Sequence, residues 1–307
     1  MTNVFIDGSA GTTGLRIYDR LNGRDDLNLT ILPDELRKDI NARKKAINSA
    51  DIAFLCLPDA AAVEAVSLVE NPDTAIIDTS TAHRTADGWA YGFPELKGYR
   101  EKIANSKRIA NPGCHASGFV ALVAPLVENG ILNANANLSA FSLTGYSGGG
   151  KNMIAQYEDD DREMLLGAPR QYALTQNHKH LKEMVKICRL ENAPAFCPIV
   201  ADFYSGMEVT VPVFKNDIKM SLPELKEFYK DYYKSGLITY NDAENEAGFL
   251  SAAALSGKDN MEVTVCGNED RILLVSRFDN LGKGASGAAI QNMNILLGID
   301  EKTGLEF

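Results

Sequence analysis

The chain has 307 residues, a formal net charge of −10, 45% hydrophobic residues and 23% charged residues. This length fits two domains, and the composition fits a globular protein with a sizeable core. The negative charge argues against nucleic acid and anionic membranes as partners. A small anionic substrate stays compatible with it, because a few local arginines and lysines can hold an anion.

The five cysteines are an odd number and include no Cys-x-x-Cys pair. Such usage fits a reducing compartment better than a disulfide framework, and neither the cysteines nor the histidines have the spacing of a metal site. The N-terminus lacks a charged leader, and no apolar stretch is long enough to span a bilayer. We therefore predict a cytoplasmic protein without a metal.

The first third of the chain alternates short apolar runs with helix-prone stretches. The continuous apolar run 52–57 is typical of a strand buried on both faces. The predicted strands are 4–6, 29–32, 52–57 and 75–77. One predicted helix follows the first strand and ends at residue 21, and two others cover 34–50 and 60–69. This order predicts an α/β domain with a parallel, doubly wound sheet of the Rossmann type.

After residue 113 the pattern changes to longer strands with visible alternation, as in Glu208-Val209-Thr210-Val211. The predicted strands are 138–144, 207–214, 261–266 and 272–278. One predicted helix follows Cys114, and three others cover 180–190, 222–233 and 285–297. We expect an α+β domain with a mostly antiparallel sheet.

Cys114 is the strongest candidate for a catalytic residue. It follows Asn111-Pro112-Gly113 and precedes a helical run. A thiol at a helix N-terminus faces unsatisfied backbone N–H groups and the positive end of the helix dipole, and both favour the nucleophilic thiolate. The adjacent His115 adds to this interpretation, whereas a small buried thiol under a turn is the alternative.

A glycine loop follows the first strand and opens a helix, which is the setting of a dinucleotide pyrophosphate site. Its candidate cofactor residues are Gly8, Ser9, Gly11, Thr12, Thr13 and Gly14. After the second strand, Asp34 and Glu35 fit a ribose hydroxyl of NAD, whereas Arg37 and Lys38 fit the 2′-phosphate of NADP. The residues alone leave the two cofactors open.

Two further segments contain candidate anion ligands. Arg84 follows the strand that ends near Asp78, where ligands collect in a parallel sheet, and a structural ion pair is its alternative. Lys151 follows the glycines 148–150, which allow close backbone approach to a ligand.

A histidine cluster provides candidate acid–base groups. In His178-Lys179-His180-Leu181-Lys182-Glu183, a helix that begins at His180 places Glu183 on the same side, and His178 precedes that helix. The spacing does not decide which histidine exchanges protons, and a surface helix with two histidines is the alternative interpretation.

These segments together resemble one enzyme family, the N-acetyl-gamma-glutamyl-phosphate reductases in their shorter, type 2 form. The resemblance rests on Asn111-Pro112-Gly113-Cys114, on His178-x-His180-x-x-Glu183, and on Asp279 to Gly287 followed by Gln291-Asn292-Met293-Asn294. The segments 80–84 and 91–96 add to it, and the similarity extends from Gly8 to about Gly298.

The resemblance implies an enzyme that uses NADPH to reduce an acyl phosphate to an aldehyde in arginine biosynthesis, through a thioester on a cysteine. It implies an NADP-binding Rossmann domain of residues 1–113 and 285–307, to which the last helix returns. A catalytic, substrate-binding domain of residues 114–284 then supplies the subunit contacts of a homo-oligomer, a dimer or a tetramer.

The family cysteine corresponds to Cys114 and the family histidine to His178, and we count Asn280 with the cofactor-binding residues and Asn111 with the substrate-binding ones. His115 departs from the family, because many members have tyrosine there, and the proton-exchanging residue is His178, His180 or His115. The rival functions are another acyl-phosphate reductase (aspartate-semialdehyde dehydrogenase, or a reductase of carrier-bound glutamyl phosphate) and a nucleotide-binding sensor without catalysis.

Overall fold

The computed structural model describes residues 1–242 and 247–307. The chain divides into two compact units, the first formed by Met1–Gly113 with Ala285–Glu306 and the second by Cys114–Gly284 with Phe307. No helix of the described residues is both long enough and apolar enough to cross a bilayer.

The first unit contains a parallel sheet of six strands in the order β2-β1-β3-β4-β6-β5. Its strands are β1 (Thr2–Asp7), β2 (Leu27–Thr30), β3 (Ile52–Leu55), β4 (Ala75–Asp78), β5 (Ala90–Tyr91) and β6 (Arg108–Ala110). Its helices are α1 (Thr12–Leu21), α2 (Ile40–Asn48), α3 (Asp59–Ser67), α4 (Tyr99–Ala104) and, from the end of the chain, α9 (Gly287–Leu296). The predicted Rossmann-type sheet is confirmed.

The core of the first unit depends on both of its chain segments. Ile290 and Met293 of α9 are fully buried in one cluster with Val4, Ile77 and Ile109 of the sheet. Polar contacts of α9 continue this docking, since Asn292 Nδ2 donates to Gly92 O at 3.0 Å. The helix therefore completes the hydrophobic core rather than covering its surface.

The second unit contains a mixed sheet of seven strands in the order β11-β12-β13-β10-β7-β9-β8. Its strands are β7 (Ser139–Gly145), β8 (Arg170–Gln171), β9 (Ala195–Ala201), β10 (Met207–Phe214), β11 (Ile238–Tyr240), β12 (Met261–Gly267) and β13 (Arg271–Phe278). Its helices are α5 (Cys114–Glu128), α6 (Gly150–Tyr157), α7 (His180–Cys188) and α8 (Leu222–Tyr232). Among the described residues of this unit, β11/β12 and β7/β9 pair in parallel and the other four neighbouring pairs are antiparallel. The expected α+β domain with a mostly antiparallel sheet is confirmed.

Helix α5 packs closely on one face of this sheet because it has a glycine at the contact. A Cβ on Gly118 would lie 2.5 Å from Val209 Cγ2 and 2.7 Å from Ser276 Oγ. Residues 115–126 are buried, which fixes the helix and with it the position of its first residue, Cys114.

One predicted helix begins later than expected, and several strands, β9 the longest of them, were not predicted. Helix α2 begins at Ile40 rather than near Asp34, because a turn closes at Pro33, whose carbonyl accepts from Leu36 N, and Asp39 then caps the helix by accepting from Ala42 N at 2.7 Å. Strand β9 was not predicted, since Pro198 lies inside it and an internal proline argues against a strand.

Candidate active site

Cys114 is the first residue of α5 and is partly exposed. The first N–H groups of a helix have no partner in the preceding turn, so negative charge on this sulfur is favoured there. Gly284 lies directly behind it, since a Cβ on Gly284 would be 2.9 Å from Cys114 Cβ. Burial raises the pKa of Cys56 to about 12, and burial together with the charge of Glu183 raises the pKa of Cys188, so those two thiols stay protonated.

His115 is buried, with 3% of its surface exposed, and both of its ring nitrogens are engaged. Nδ1 lies 2.6 Å from Ser142 Oγ on β7, and Nε2 lies 2.6 Å from Tyr172 Oη. Burial, and after it the charge of His178, lowers the pKa of His115 to about 3. The imidazole beside Cys114 is therefore neutral near pH 7 and is not a free base.

Tyr172 is a site residue that sequence reasoning missed. It follows β8, and its backbone N–H donates to Pro198 O at 3.0 Å. Burial, and after it the negative charge of Cys114, raises the pKa of its phenol, so the hydroxyl keeps its proton. Its ring packs edge-on against His115 and His178, with centroids 6.1 and 6.0 Å away.

His178 and His180 join this cluster, as the sequence predicts. The ring of His178 lies 4.7 Å from that of His180 and 5.7 Å from that of His115, centroid to centroid. His178 is partly exposed in the turn before α7, whereas His180 is only 5% exposed. The Nδ1 atom of His178 accepts from His180 N at 3.2 Å, so the neutral ring has its proton on Nε2.

Glu183 is buried on α7, with 2% of its surface exposed, one turn after His180. Its negative charge acts on the thiol of Cys188, whose pKa is raised first by burial and then by this charge. Its role in orienting a histidine stays a prediction.

The glycine loop of the first unit packs tightly against its own backbone and against the backbone at the end of β3. Gly8 has a φ of +86°, and a Cβ there would lie 2.3 Å from Cys56 O, while one on Gly14 would lie 2.4 Å from Gly8 O. Gly11 is different, because its Cβ would lie 3.5 Å from the nearest atom, and it caps α1 without a side chain. The Ser9, Thr12 and Thr13 positions belong to the same loop and the first turn of α1. Backbone N–H groups at this helix start fit an anionic pyrophosphate.

Arg37 and Lys38 are exposed in the turn that follows β2. Arg37 forms an exposed ion pair with Asp34 at 3.3 Å, which is weak in water and leaves the guanidinium able to bind another anion. The donor set of this turn thus fits a 2′-phosphate.

Arg84 lies at the carboxyl ends of β4 and β6. Its Nε donates to Asn111 O at 2.9 Å and one terminal nitrogen donates to Thr79 O at 2.9 Å. These bonds orient the guanidinium, which is 9% exposed. Next to it, His83 Nδ1 lies 2.6 Å from Asp78 Oδ2 and the His83 ring stacks on Trp89.

Asn111 and Asn280 have their amides engaged in internal hydrogen bonds. Asn111 Nδ2 donates to Ala285 O at 2.9 Å, so it joins the two chain segments of the first unit. Asn280 Oδ1 accepts from Gly206 N at 2.9 Å and its Nδ2 donates to Ser147 Oγ at 3.0 Å. Both side chains are buried, and these bonds fix their orientation. Lys151, by contrast, is exposed on the first turn of α6.

Comparison with known proteins agrees with this geometry. Family models of the semialdehyde dehydrogenase NAD binding domain and dimerisation domain match residues 31–106 and 114–280. The chain is 46% identical to N-acetyl-gamma-glutamyl-phosphate reductase 2 of Nostoc sp. over 98% of both chains. It is also 46% identical to the N-acetyl-gamma-glutamyl-phosphate reductase of Brucella ovis, over 96% of this chain and 98% of that one.

Solved structures agree on the fold. Aspartate semialdehyde dehydrogenase II of Vibrio cholerae, in complex with ASA, superposes with a TM-score of 0.75 at 16% identity, over 97% of this chain and 98% of that one. The aspartate semialdehyde dehydrogenase of Candida albicans with NADP has a TM-score of 0.69 at 16% identity, over 97% and 98% of the two chains.

Both domain matches place the chain in the semialdehyde dehydrogenase family, with an NAD(P)-binding Rossmann domain, and the solved structures agree on the fold. Within that class, the chain belongs to the family of the N-acetyl-gamma-glutamyl-phosphate reductases, which it matches along nearly its entire length. The resemblance inferred from the motifs is confirmed.

Proposed function

We propose that this protein reduces N-acetyl-gamma-glutamyl phosphate to N-acetylglutamate 5-semialdehyde and phosphate with NADPH, as a cytoplasmic enzyme of arginine biosynthesis. The observation that supports this most strongly is Cys114, a partly exposed thiol at the start of a buried helix, beside a cluster of three histidines, in a chain 46% identical to reductases of this name.

The first chemical step is attack by the Cys114 thiolate on the γ-acyl carbon. A C–S bond forms, the C–O bond to phosphate breaks, and a thioester remains on the enzyme. The departing phosphate is the group that gains a proton in the net reaction. His178 fits this task, because the hydrogen bond to its Nδ1 places the proton of the neutral ring on Nε2, where it is a donor. In the reverse reaction the same nitrogen accepts the proton.

NADPH, when bound, supplies the hydride that reduces the thioester carbonyl. The resulting thiohemiacetal oxyanion re-forms a carbonyl as the C–S bond breaks, so the aldehyde leaves and the Cys114 thiolate returns. The backbone N–H groups at the start of α5 stabilise negative charge at this centre in both steps. His180 fixes His178 through its backbone N–H, and Glu183 is proposed to support His180 from the same helix.

The binding residues divide between the two units. We propose that residues 1–113 and 285–307 bind NADPH, with the loop Gly8 to Gly14 on the pyrophosphate and Arg37 with Lys38 on the 2′-phosphate. Residues 114–284 form the catalytic and subunit-contact domain. Arg84, oriented by two carbonyls, and Lys151 are the proposed ligands of substrate anions. We keep Asn280 among the proposed cofactor-binding residues and Asn111 among the substrate-binding ones, each held in place by hydrogen bonds within its own unit.

The decisive experiment runs the reaction backwards. Purified protein is supplied with NADP, phosphate and, in separate assays, N-acetylglutamate semialdehyde, aspartate semialdehyde and glutamate semialdehyde. We expect turnover with the first only, and its loss in Cys114→Ala. Cys197→Ala, a matched change of another partly exposed cysteine in the same unit, is expected to keep activity. Preference for another semialdehyde, or turnover by Cys114→Ala, would overturn the proposal.

We further propose that the chain forms a homo-oligomer through the sheet face of the second unit opposite α5. Phe141, Leu273 and Phe214 remain 45%, 40% and 57% exposed on its strands, which is unusual for large apolar side chains in one region. The matching dimerisation domain model supports a second copy as the occupant. Phe141→Lys with Leu273→Lys is expected to lower the mass measured by light scattering, whereas Leu174→Lys, on an exposed loop, is not. An unchanged mass in the double variant would contradict this.

A further inference from the structure

A row of three hydrogen-bonded side chains leads from the interior of the second unit towards Cys114. Ser142 on β7 is fully buried, His115 is 3% exposed, and Tyr172 is partly exposed. The two contacts, Ser142 Oγ to His115 Nδ1 and His115 Nε2 to Tyr172 Oη, are both 2.6 Å long. Short contacts on both ring nitrogens hold the imidazole in one orientation.

The direction of these hydrogen bonds follows from counting protons. A neutral imidazole has one donor and one acceptor nitrogen, and His115 is neutral because burial and the charge of His178 oppose its protonation. Within residues 1–242 and 247–307, Ser142 Oγ has no other hydrogen-bond partner than His115. Its buried proton is satisfied only when Ser142 donates to Nδ1. Nε2 then has the ring proton and donates to Tyr172 Oη.

This arrangement leaves the phenolic proton of Tyr172 directed away from His115. Tyr172 lies next to the reaction centre, because its hydroxyl bonds to His115, the neighbour of Cys114 in the chain, and its ring contacts that of His178, 6.0 Å away between centroids. The pKa of its phenol agrees with this position, since it is raised by burial and then by the charge of Cys114. The backbone bond to Pro198 O at 3.0 Å holds the residue against β9. Tyr172 is therefore a fixed donor whose position is set by the core.

We propose that Tyr172 donates a hydrogen bond to the oxyanion formed when Cys114 attacks an acyl carbon, and that His115 and Ser142 are positioning residues that direct this donor. The proton stays on Tyr172 throughout, so the step needs no further reactant. The assignment extends the proposed function, but it depends only on acyl transfer to Cys114 and not on the cofactor.

The test therefore uses an ester in place of the natural substrate. Attack of Cys114 on p-nitrophenyl acetate forms the C–S bond, breaks the bond to p-nitrophenolate and passes through the same kind of oxyanion, and the burst of nitrophenolate gives the acylation rate. Tyr172→Phe is expected to slow this burst at least tenfold, towards the roughly hundredfold effect typical of a lost oxyanion donor. Tyr240→Phe, which removes another engaged hydroxyl of this unit at the far edge of the sheet, is the matched control and is expected to leave the rate unchanged.

The positioning role predicts a rescue that a structural role does not. His115→Gln keeps an amide N–H near the position of Nε2, whereas His115→Asn reaches only the position of Nδ1. We expect Gln to retain several-fold more acylation rate than Asn at equal thermal stability. In the Tyr172→Phe background, His115→Asn and Ser142→Ala are expected to have little further effect, because the donor that they direct is already absent.

The outcomes separate this assignment from the proposed function. If Tyr172→Phe acylates as fast as the wild type, or if the His115 and Tyr172 effects simply multiply, the assignment is wrong whatever the natural substrate. If the semialdehyde panel shows no turnover but Cys114 acylation falls in Tyr172→Phe, the assignment stands and the proposed function is wrong.

Discussion

Alanine substitutions in the glycine loop of the first unit distinguish glycines that the fold requires from a glycine that cofactor binding requires. Gly8→Ala introduces a Cβ 2.3 Å from the Cys56 carbonyl oxygen at a φ of +86°. The left-handed backbone costs about 1–2 kcal/mol for a residue with a side chain, and the clash with rigid backbone adds about 1–3 kcal/mol. We therefore expect Gly8→Ala to lower the free energy of unfolding of this unit by about 2–5 kcal/mol.

Gly14→Ala and Gly11→Ala complete the series. Gly14→Ala brings a Cβ within 2.4 Å of Gly8 O without a φ penalty, so we expect a smaller loss, about 1–3 kcal/mol. Gly11→Ala finds its nearest atom at 3.5 Å, an ordinary contact, and is expected to change stability by less than about 1 kcal/mol. Its methyl group nevertheless covers the N–H groups at the start of α1, so NADPH affinity is expected to fall about tenfold or more.

Urea unfolding followed by the fluorescence of Trp89, the only tryptophan of the chain, reports on this unit directly. Fluorescence titration with NADPH gives the affinity of the folded variants. The reasoning is refuted if Gly8→Ala unfolds within 1 kcal/mol of the wild type, or if Gly8→Ala and Gly11→Ala lose equal stability.

Three further predictions concern charge. Arg37→Ala with Lys38→Ala is expected to weaken NADPH binding about tenfold or more while NADH binding changes little, since only NADPH has the 2′-phosphate. Arg43→Met leaves the buried carboxylate of Asp7, 3.0 Å away, without its partner and is expected to cost about 3 kcal/mol of stability, measured by urea unfolding. The folded-state pKa of His115 is lowered to about 3 from its ordinary 6.5, so its contribution to stability is lost as the pH falls from 6.5 towards 3, by about 1.4 kcal/mol per pH unit.

Each of these has an internal control. Equal losses of NADPH and NADH affinity would reject the 2′-phosphate site. Lys44, the residue after Arg43 on α2, forms an exposed ion pair with Glu70, and Lys44→Met is expected to cost less than about 1 kcal/mol of stability. Similar losses of stability in Arg43→Met and Lys44→Met would contradict the burial argument. His115→Gln cannot titrate, and a wild type with the same acid sensitivity as this variant would show that His115 is not the responsible group.

The parallel sheet and its helices were predictable because their signals are local. Continuous apolar runs such as 52–55 identify strands buried on both faces, and alternation identifies β10 and β12. Strands β5 and β8 contain only two residues each, too few for any period, and they form because longer neighbours offer an edge.

The residues of the candidate site also differ in how well the sequence reveals them. Cys114 and the histidines at 178 and 180 were recognisable from residue type, a turn and a predicted helix start. Tyr172 was not, because it lies 57 residues from His115 in a segment without periodicity, and the contact exists only once β8 pairs with β9. The amides of Asn280 and Asn111 form internal hydrogen bonds that no spacing rule reveals, and their predicted binding of cofactor and substrate stays a prediction.

The return of α9 to the first unit has a consequence for how the protein is made. During synthesis residues 1–113 leave the ribosome before Cys114–Gly284, whereas Ile290 and Met293, which fill the core of the same unit, are translated after that segment. Part of the core of residues 1–113 therefore stays exposed to solvent until the inserted segment of 171 residues, Cys114–Gly284, has been synthesised. A truncation before Gly287 would remove α9 alone among the described helices and strands, yet it would leave the core of the first unit incomplete.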